Sequence, residues 1–281
     1  MKQHIHLLLI DPQNDFCDLP ADFLPNNEMK PSLPVPGAHA DMLRVATLIA
    51  QAGKQLAEIT VTLDSHHRID IAHPAFWQTA EGHAVPAFTS ISSADVRAGL
   101  FQPRLPSALP RVLNYLDSLE AAARYQLMVW PVHCEIGSWG HNVHRAVRAA
   151  YNQWEEQTMR SVQKVIKGTN PWTEHYSAIM AEVPDPEDNA TQTNHALIQN
   201  LAKADIVLIA GEAGSHCVRS TTEHIVQQLP IENIPRLVLL TDCISPVAGF
   251  DAQYQTFLSD MAQKGVRLAK STEVISELDK A

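Results

Sequence analysis

Six short apolar runs, separated mostly by long segments of helical periodicity, limit what this chain can fold into. They are IHLLLI (5–10), LAEITVTL (56–63), QLMVW (126–130), KVI (164–166), DIVLIA (205–210) and RLVLLT (236–241). Such runs read as strands buried on both faces. DMLRVATLIAQAG, HNVHRAVRAAYNQW and NHALIQNLAKA between them carry the spacing of amphipathic helices. Strands alternating with helices predict an α/β fold with a mainly parallel sheet. The Pro- and Ser-containing stretch 80–125 is too long for a plain loop. It reads as an excursion with a short helix around LPRVLNYLDSLEAAA and a candidate cap or interface. No repeat or low-complexity tract divides the 281 residues, so a single domain is expected over 1–281.

Composition narrows the function classes. Hydrophobic residues make up 45% and charged residues 19%, an ordinary globular balance. A net charge of −10 argues against nucleic acid and an anionic membrane as partners. Four cysteines (Cys17, Cys134, Cys217, Cys243) without a CxxC pair suit a reducing cytosol rather than a disulfide framework or zinc ribbon. HIHLLLI is too short for a signal-peptide core, and no apolar run approaches the ~20 residues that span a bilayer. A cytoplasmic location follows as an expectation, and the sequon at Asn189 is read as accidental.

In an open parallel sheet, ligands bind beyond the carboxyl ends of the strands. Almost every candidate strand here ends near a residue able to do chemistry. Asp11 follows the first run, Asp64 and His66 the second, and Trp130 and His133 close the third. Lys167 follows the fourth and Cys217 the turn after the fifth.

GEAGSHCVRSTT (211–222) has the form of a strand-to-helix turn. Val218, Thr222, Ile225 and Leu229 then fall on one helical face. A thiol there meets the positive end of the helix, which favours thiolate. Cys217 is thus either a nucleophile or a small buried hydrophobe. Its neighbour His216 is read as structural. A nucleophilic cysteine needs a base. Asp11 can serve if Lys167 lies close enough to manage its charge; otherwise the two form an ordinary ion pair. In TLDSHHRIDIAH, Asp64 and His66 can face one side of a strand end. With His73 and His133 as further donors, and His67 less favoured, the set suits Zn, Fe or Mn. Phe16 and Trp130 could stack on a flat substrate. No GxGxxG, P-loop or GxSxG is present, so dinucleotide, nucleotide and serine-hydrolase readings have no foothold.

In combination these segments resemble the isochorismatase-like cysteine hydrolases, and among them the nicotinamidases. LLLIDPQNDFC is similar to the family's opening strand and D-x-Q-x-D-F motif, and SLPVPGA (32–38) to a following glycine-containing segment. TLDSHHRIDIAH and WPVHCEIGSWG resemble its two metal segments, KVIKGTNPWTEHYSA the lysine-bearing strand, and GEAGSHCV the nucleophile turn.

The resemblance implies a three-layer α/β/α Rossmann-like fold with strand order 3-2-1-4-5-6. That order would set the first strand beside the fourth and bring Asp11 to Lys167. It further implies a Cys217–Asp11–Lys167 triad, a cis peptide at Glu212–Ala213, and an oxyanion hole from the N–H groups of Ala213 and Cys217. Asp64, His66, His133 and possible fourth ligand His73 would hold a divalent metal, Zn before Fe or Mn. The implied activity is hydrolysis of a small heteroaromatic carboxamide to acid and ammonia, in a protein that forms homo-oligomers. A carbamoyl or ureido substrate, as in relatives lacking the metal ligands, and a non-catalytic binding role are the alternatives.

Several positions depart from the family pattern. Glu212 replaces an aliphatic residue, Gly214-Ser215 a Thr-Asp pair, and Ser138 a Thr. His66 and His133 are 67 residues apart, wider than in the longer nicotinamidases. Glu212 is the candidate contact to a substrate group that nicotinamide lacks, or else to a water.

Overall fold

The computed structural model describes residues 3–25 and 29–280. In chain order the elements begin with β1 (Ile5–Ile10), α1 (Ala38–Ala52) and β2 (Leu56–Asp64). Next come β3 (Trp77–Thr79), β4 (Thr89–Ile91), α2 (Ser93–Arg97), β5 (Phe101–Pro103), α3 (Leu109–Ala121) and β6 (Leu127–Val129). The chain continues through α4 (Arg145–Thr158), β7 (Gln163–Lys167), α5 (His195–Ala202), β8 (Ile206–Gly211) and α6 (Cys217–Gln228). It closes with β9 (Leu237–Leu240), α7 (Asp251–Gln263), β10 (Arg267–Ala269) and α8 (Ser271–Leu278).

Six strands form one parallel sheet in the order β10-β9-β8-β1-β2-β7. Helices flank it in an α/β/α arrangement. All six residues of β1 are buried, as expected of a central strand covered on both faces. On α1, Met42, Val45, Leu48, Ile49 and Ala52 are buried, a three-and-four spacing that makes one apolar stripe. That stripe side packs with α4, whose Trp154 donates its indole N–H to the Gly53 carbonyl at 3.0 Å.

Counting only the strands of this sheet, the order is the expected 3-2-1-4-5-6, but the strands filling it differ from those read in the sequence. QLMVW contributes β6, which pairs antiparallel with β4 in a separate two-stranded ribbon. The sixth place belongs to β10, a three-residue strand too short to stand out as an apolar run. Consequently Lys167 does not come from a strand beside β1. It ends the edge strand β7, opposite Asp64 of β2, and reaches Asp11 over β2. The strand that does flank β1 is β8, which leads to Cys217. The order reverses between β1 and β8, the place where open α/β sheets form their ligand crevice. Among the described residues no helix is long and apolar enough to cross a membrane.

Candidate active site

The polar residues of DPQNDF build the site before any chemistry is considered. The Gln13 side chain accepts from the Asp64 N–H and donates to the Asp64 carbonyl, both at 2.8 Å, and donates to the His141 carbonyl at 3.0 Å. The Asp15 carboxylate accepts from the Cys134 N–H at 2.7 Å and the Ser32 N–H at 3.0 Å. One short motif therefore ties the loops after β1, β2 and β6 together. Gln13 and Asp15 lie in the same motif as the candidates Asp11 and Phe16, and only the fold reveals their supporting role.

Asp11, Asp64, Lys167 and Cys217 meet in the space this creates. Lys167 Nζ lies 2.9 Å from Asp11 Oδ2, 2.9 Å from Asp64 Oδ1 and 3.7 Å from Cys217 Sγ. It also donates to the His175 carbonyl at 3.0 Å. Carboxylate oxygens of Asp11 and Asp64 and the Cys217 sulfur lie within 4.8 Å of one another. Thr62 orients Asp11 from both sides, accepting from its N–H at 3.0 Å and donating to Oδ1 at 2.5 Å. All four charged or reactive side chains are buried. Burial alone would lower the Lys167 pKa, but Asp11, Asp64 and Cys217 hold it well above the ordinary lysine range. Burial raises the Asp11 carboxyl, with Lys167 opposing.

Cys217 is the first residue of α6, on the expected helix face with Val218, Thr222, Ile225 and Leu229, all buried. Burial opposes the preference for thiolate that the helix end confers. Burial pushes the thiol well up, Lys167 opposes, and Asp11 and Asp64 add to the rise. A helix terminus contributes only a fraction of a charge, less than removal from water costs a thiolate. The Glu212–Ala213 peptide is cis. Among the described residues, neither the Ala213 nor the Cys217 N–H donates to a protein acceptor. Gly211, at φ 123°, allows this approach, because a Cβ there would lie 1.9 Å from the Ile10 carbonyl oxygen.

Next to this group, nitrogen atoms of His66, His73 and His133 lie within 4.8 Å of one another. Asp64 Oδ2 is 3.0 Å from His66 Nε2 and 3.4 Å from His133 Nε2. The opposite ring nitrogens are held by Asp70 at 3.0 Å for His66, the His67 carbonyl at 3.2 Å for His73 and the Pro131 carbonyl at 2.8 Å for His133. Such outer partners fix the ring that a metal-binding histidine presents. Burial and the neighbouring rings push His73 down to about 3, so it carries a free lone pair at neutral pH. Three imidazoles and one carboxylate suit a divalent transition metal. Gly168, at φ 83°, borders the cluster, where a Cβ would sit 3.0 Å from Asp64 Oδ1. His67 contributes only its carbonyl and has an exposed side chain. Asp70, four residues after His66, is a supporting residue that the spacing made available but that was not singled out.

Phe16 and Trp130 are both buried beside these groups. The Phe16 ring lies 5.4 Å from that of His133, and the Trp130 ring 5.1 Å from that of His216. Trp130 also donates its indole N–H to the Tyr176 hydroxyl at 3.0 Å. Glu212 turns elsewhere. Its Oε2 accepts from the Ser245 N–H at 3.3 Å, while Oε1 is buried without a hydrogen-bond partner. Burial, then Asp41, holds it well above the usual carboxylate range, and it stands in the support of the turn.

Glu174 was not anticipated. It is buried, its Oε2 lacks a hydrogen-bond partner, and burial pushes it up to about 8. Between the unfolded value of 4.5 and about 8, the native state keeps a proton that the unfolded chain releases. Stability therefore falls as pH rises through this window, by up to about 1.4 kcal/mol per pH unit. Glu174→Gln is expected to flatten that decline in urea unfolding at pH 5, 6.5 and 8. An unchanged slope would assign the decline to other groups.

No protein-family model matches the sequence, and no curated protein is similar to it at the sequence level. Solved structures are similar over nearly the whole chain. A nicotinamidase/pyrazinamidase from Acinetobacter baumanii is 19% identical, covering 97% of this chain and 98% of its own, with a TM-score of 0.59. The yeast nicotinamidase Pnc1p is also 19% identical, covering 94% and 99%, with a TM-score of 0.60. A pyrazinamidase of Pyrococcus horikoshii in complex with zinc is 18% identical, covering 95% and 99%, with a TM-score of 0.53. Sequence segments, strand order and these likenesses agree: the chain has the isochorismatase-like hydrolase fold, shared by nicotinamidases and pyrazinamidases.

Proposed function

We propose that this protein is a metal-assisted cysteine amidohydrolase that cleaves a small heteroaromatic carboxamide to the acid and ammonia. The observation that carries this reading is Lys167 Nζ in simultaneous contact with Asp11, Asp64 and Cys217, beside a group of three histidines. Asp11 is the base that takes the Cys217 proton, and Lys167 keeps Asp11 ionised enough to do so. The sulfur attacks the amide carbonyl, and the free N–H groups of Ala213 and Cys217 receive the developing oxyanion. Asp11 returns the proton to the departing nitrogen, giving ammonia and a thioester. Water then attacks the thioester, with Asp11 again accepting a proton, and releases the acid and the thiol.

His66, His73, His133 and Asp64 hold the metal in this reading, Zn before Fe or Mn. A bound ion there supplies an electrophilic anchor for a heteroaromatic nitrogen. Phe16 and Trp130 flank the ring, and a buried, dry setting strengthens each charge–dipole contact. The enzyme acts as a single domain with the 80–125 excursion at its edge.

Ammonia release from nicotinamide and a panel of pyridine and pyrazine carboxamides by metal-loaded protein tests the proposal. No release from any of them would sink it. His133→Ala is expected to weaken metal binding by more than the about 10–100-fold that loss of an outer partner costs, with Asp70→Asn inside that range. Chelator competition with metal quantification checks this. Undiminished metal affinity in His133→Ala would remove the three-histidine site from the proposal.

A further inference from the structure

A cavity of about 240 Å³ lies against His216, the residue before Cys217, and the 80–125 excursion supplies part of its wall. Ser90, Arg124, Tyr125 and Gln126 line it from that side and from the segment just after it, Arg219 and Gln253 from α6 and α7. Two arginines and no Asp or Glu are among its lining residues, in a chain whose net charge is −10.

The two arginines are not equivalent. The terminal nitrogens of Arg124 are taken: Nη1 contacts Glu182 at 3.2 Å and His224 at 2.6 Å, and Nη2 contacts Ser220 at 3.0 Å and Glu223 at 2.9 Å. Arg219 donates only through Nε, to Glu223 at 2.9 Å. That contact fixes the guanidinium and leaves both terminal nitrogens without a protein acceptor among the described residues. The Arg219 guanidinium carbon lies 5.6 Å from the centre of the Tyr125 ring. The Tyr125 hydroxyl is itself buried without a hydrogen-bond partner. The four N–H groups on the terminal nitrogens of the half-buried Arg219 and the Tyr125 hydroxyl thus have no protein acceptor among the described residues, and for the buried phenol that is costly.

A run of aromatic contacts links the cavity wall to Trp130, beside the proposed catalytic centre. The Tyr125 ring stacks on His216 at 5.9 Å, and His216 packs against Trp130 at 5.1 Å and Phe250 at 4.7 Å. Burial pushes His216 down to about 3, so this partition is neutral and does not compete with Arg219 for an anion.

We propose that this cavity is a subsite for an anionic group, a carboxylate, carried by the amide substrate at a point remote from the scissile bond. The substrate class is therefore an acidic carboxamide rather than nicotinamide itself. The inference rests on the amidase reading for the word substrate, whereas the anion subsite stands on the unpaired donors alone. A planar carboxylate accepts two parallel N–H groups from a guanidinium and leaves lone pairs for the Tyr125 hydroxyl.

Calorimetry on metal-loaded Cys217→Ala protein, which cannot turn over, tests this with two probes: nicotinamide and nicotinamide bearing a ring carboxylate at position 5. The carboxylate is expected to tighten binding by about 10-fold. Arg219→Gln in the same background should bring the ratio of the two affinities to about one, and Arg219→Lys should restore part of it. Equal binding of the two probes, or a preference that survives Arg219→Gln, overturns the proposal. Benzoate that binds alongside nicotinamide without weakening it would also overturn it, by making this a separate anion site. Ammonia assays on the wild type keep the two readings apart. No ammonia from either probe, with the Arg219-dependent preference intact, removes the amidase and leaves the subsite.

Discussion

Replacement of Cys217 by alanine is expected to lower kcat for carboxamide hydrolysis by about 10⁴-fold or more. The change removes the only sulfur within reach of both Asp11 and Lys167 among the described residues. Cys134, the next cysteine in this region, is buried, and burial pushes its thiol well above the ordinary range. KM should move far less than kcat, because the sulfur acts in bond making rather than in holding the ring. Cys217→Ser is expected to be nearly as inactive, since an alkoxide is much harder to form beside the same carboxylate. A mass increase on wild-type protein quenched during turnover, absent in both variants, would identify the thioester. Residual activity within 10-fold of wild type in Cys217→Ala would remove this residue as the nucleophile.

The second large effect concerns stability. Lys167→Met is expected to cost about 3–5 kcal/mol of unfolding free energy, because it strips the shared cation from two buried carboxylates. Asp11 and Asp64 would then face each other across a dry space, and each would be easier to protonate than in the wild type. A carboxylate whose folded pKa rises above its unfolded value stabilises the fold below the unfolded value and loses that contribution as pH rises. The deficit of the variant should therefore be greatest near neutral pH and shrink towards pH 4. Urea unfolding across that range reads it directly. A deficit below about 1 kcal/mol at pH 7 would mean that water enters the site and carries the charge instead.

Much of the site was legible because its residues cluster in short motifs at strand ends. Asp64 and His66 could be paired from their two-residue spacing, and the structure brings their side chains to 3.0 Å. Asp11 and Lys167 could be nominated together, but an ordinary ion pair and a three-way contact with Cys217 look the same in sequence. The environment of the Cys217 thiol was legible only in part for a related reason. A helix start can be read locally, whereas the depth of burial that overrides it depends on residues distant in the chain. Glu212 was expected at the substrate, and only packing shows that its carboxyl group accepts from the Ser245 N–H, more than 30 positions later in the chain.

The sequence by itself determined the class of fold, whereas the order of the central sheet came from the resemblance to a known family. The sequence also determined which side chains gather at the sheet's carboxyl edge, because hydrophobic period and turn chemistry are local properties. Which apolar runs occupy that sheet was decided only by tertiary structure. QLMVW and RLA differ little in local preference from true and false strands, and long-range pairing assigns one to a ribbon with β4 and the other to the sheet edge beside β9. The unpaired donors of Arg219 and Tyr125 belong to the same category. Whether a donor has an acceptor depends on what the folded chain places opposite it, and local pattern carries no record of that.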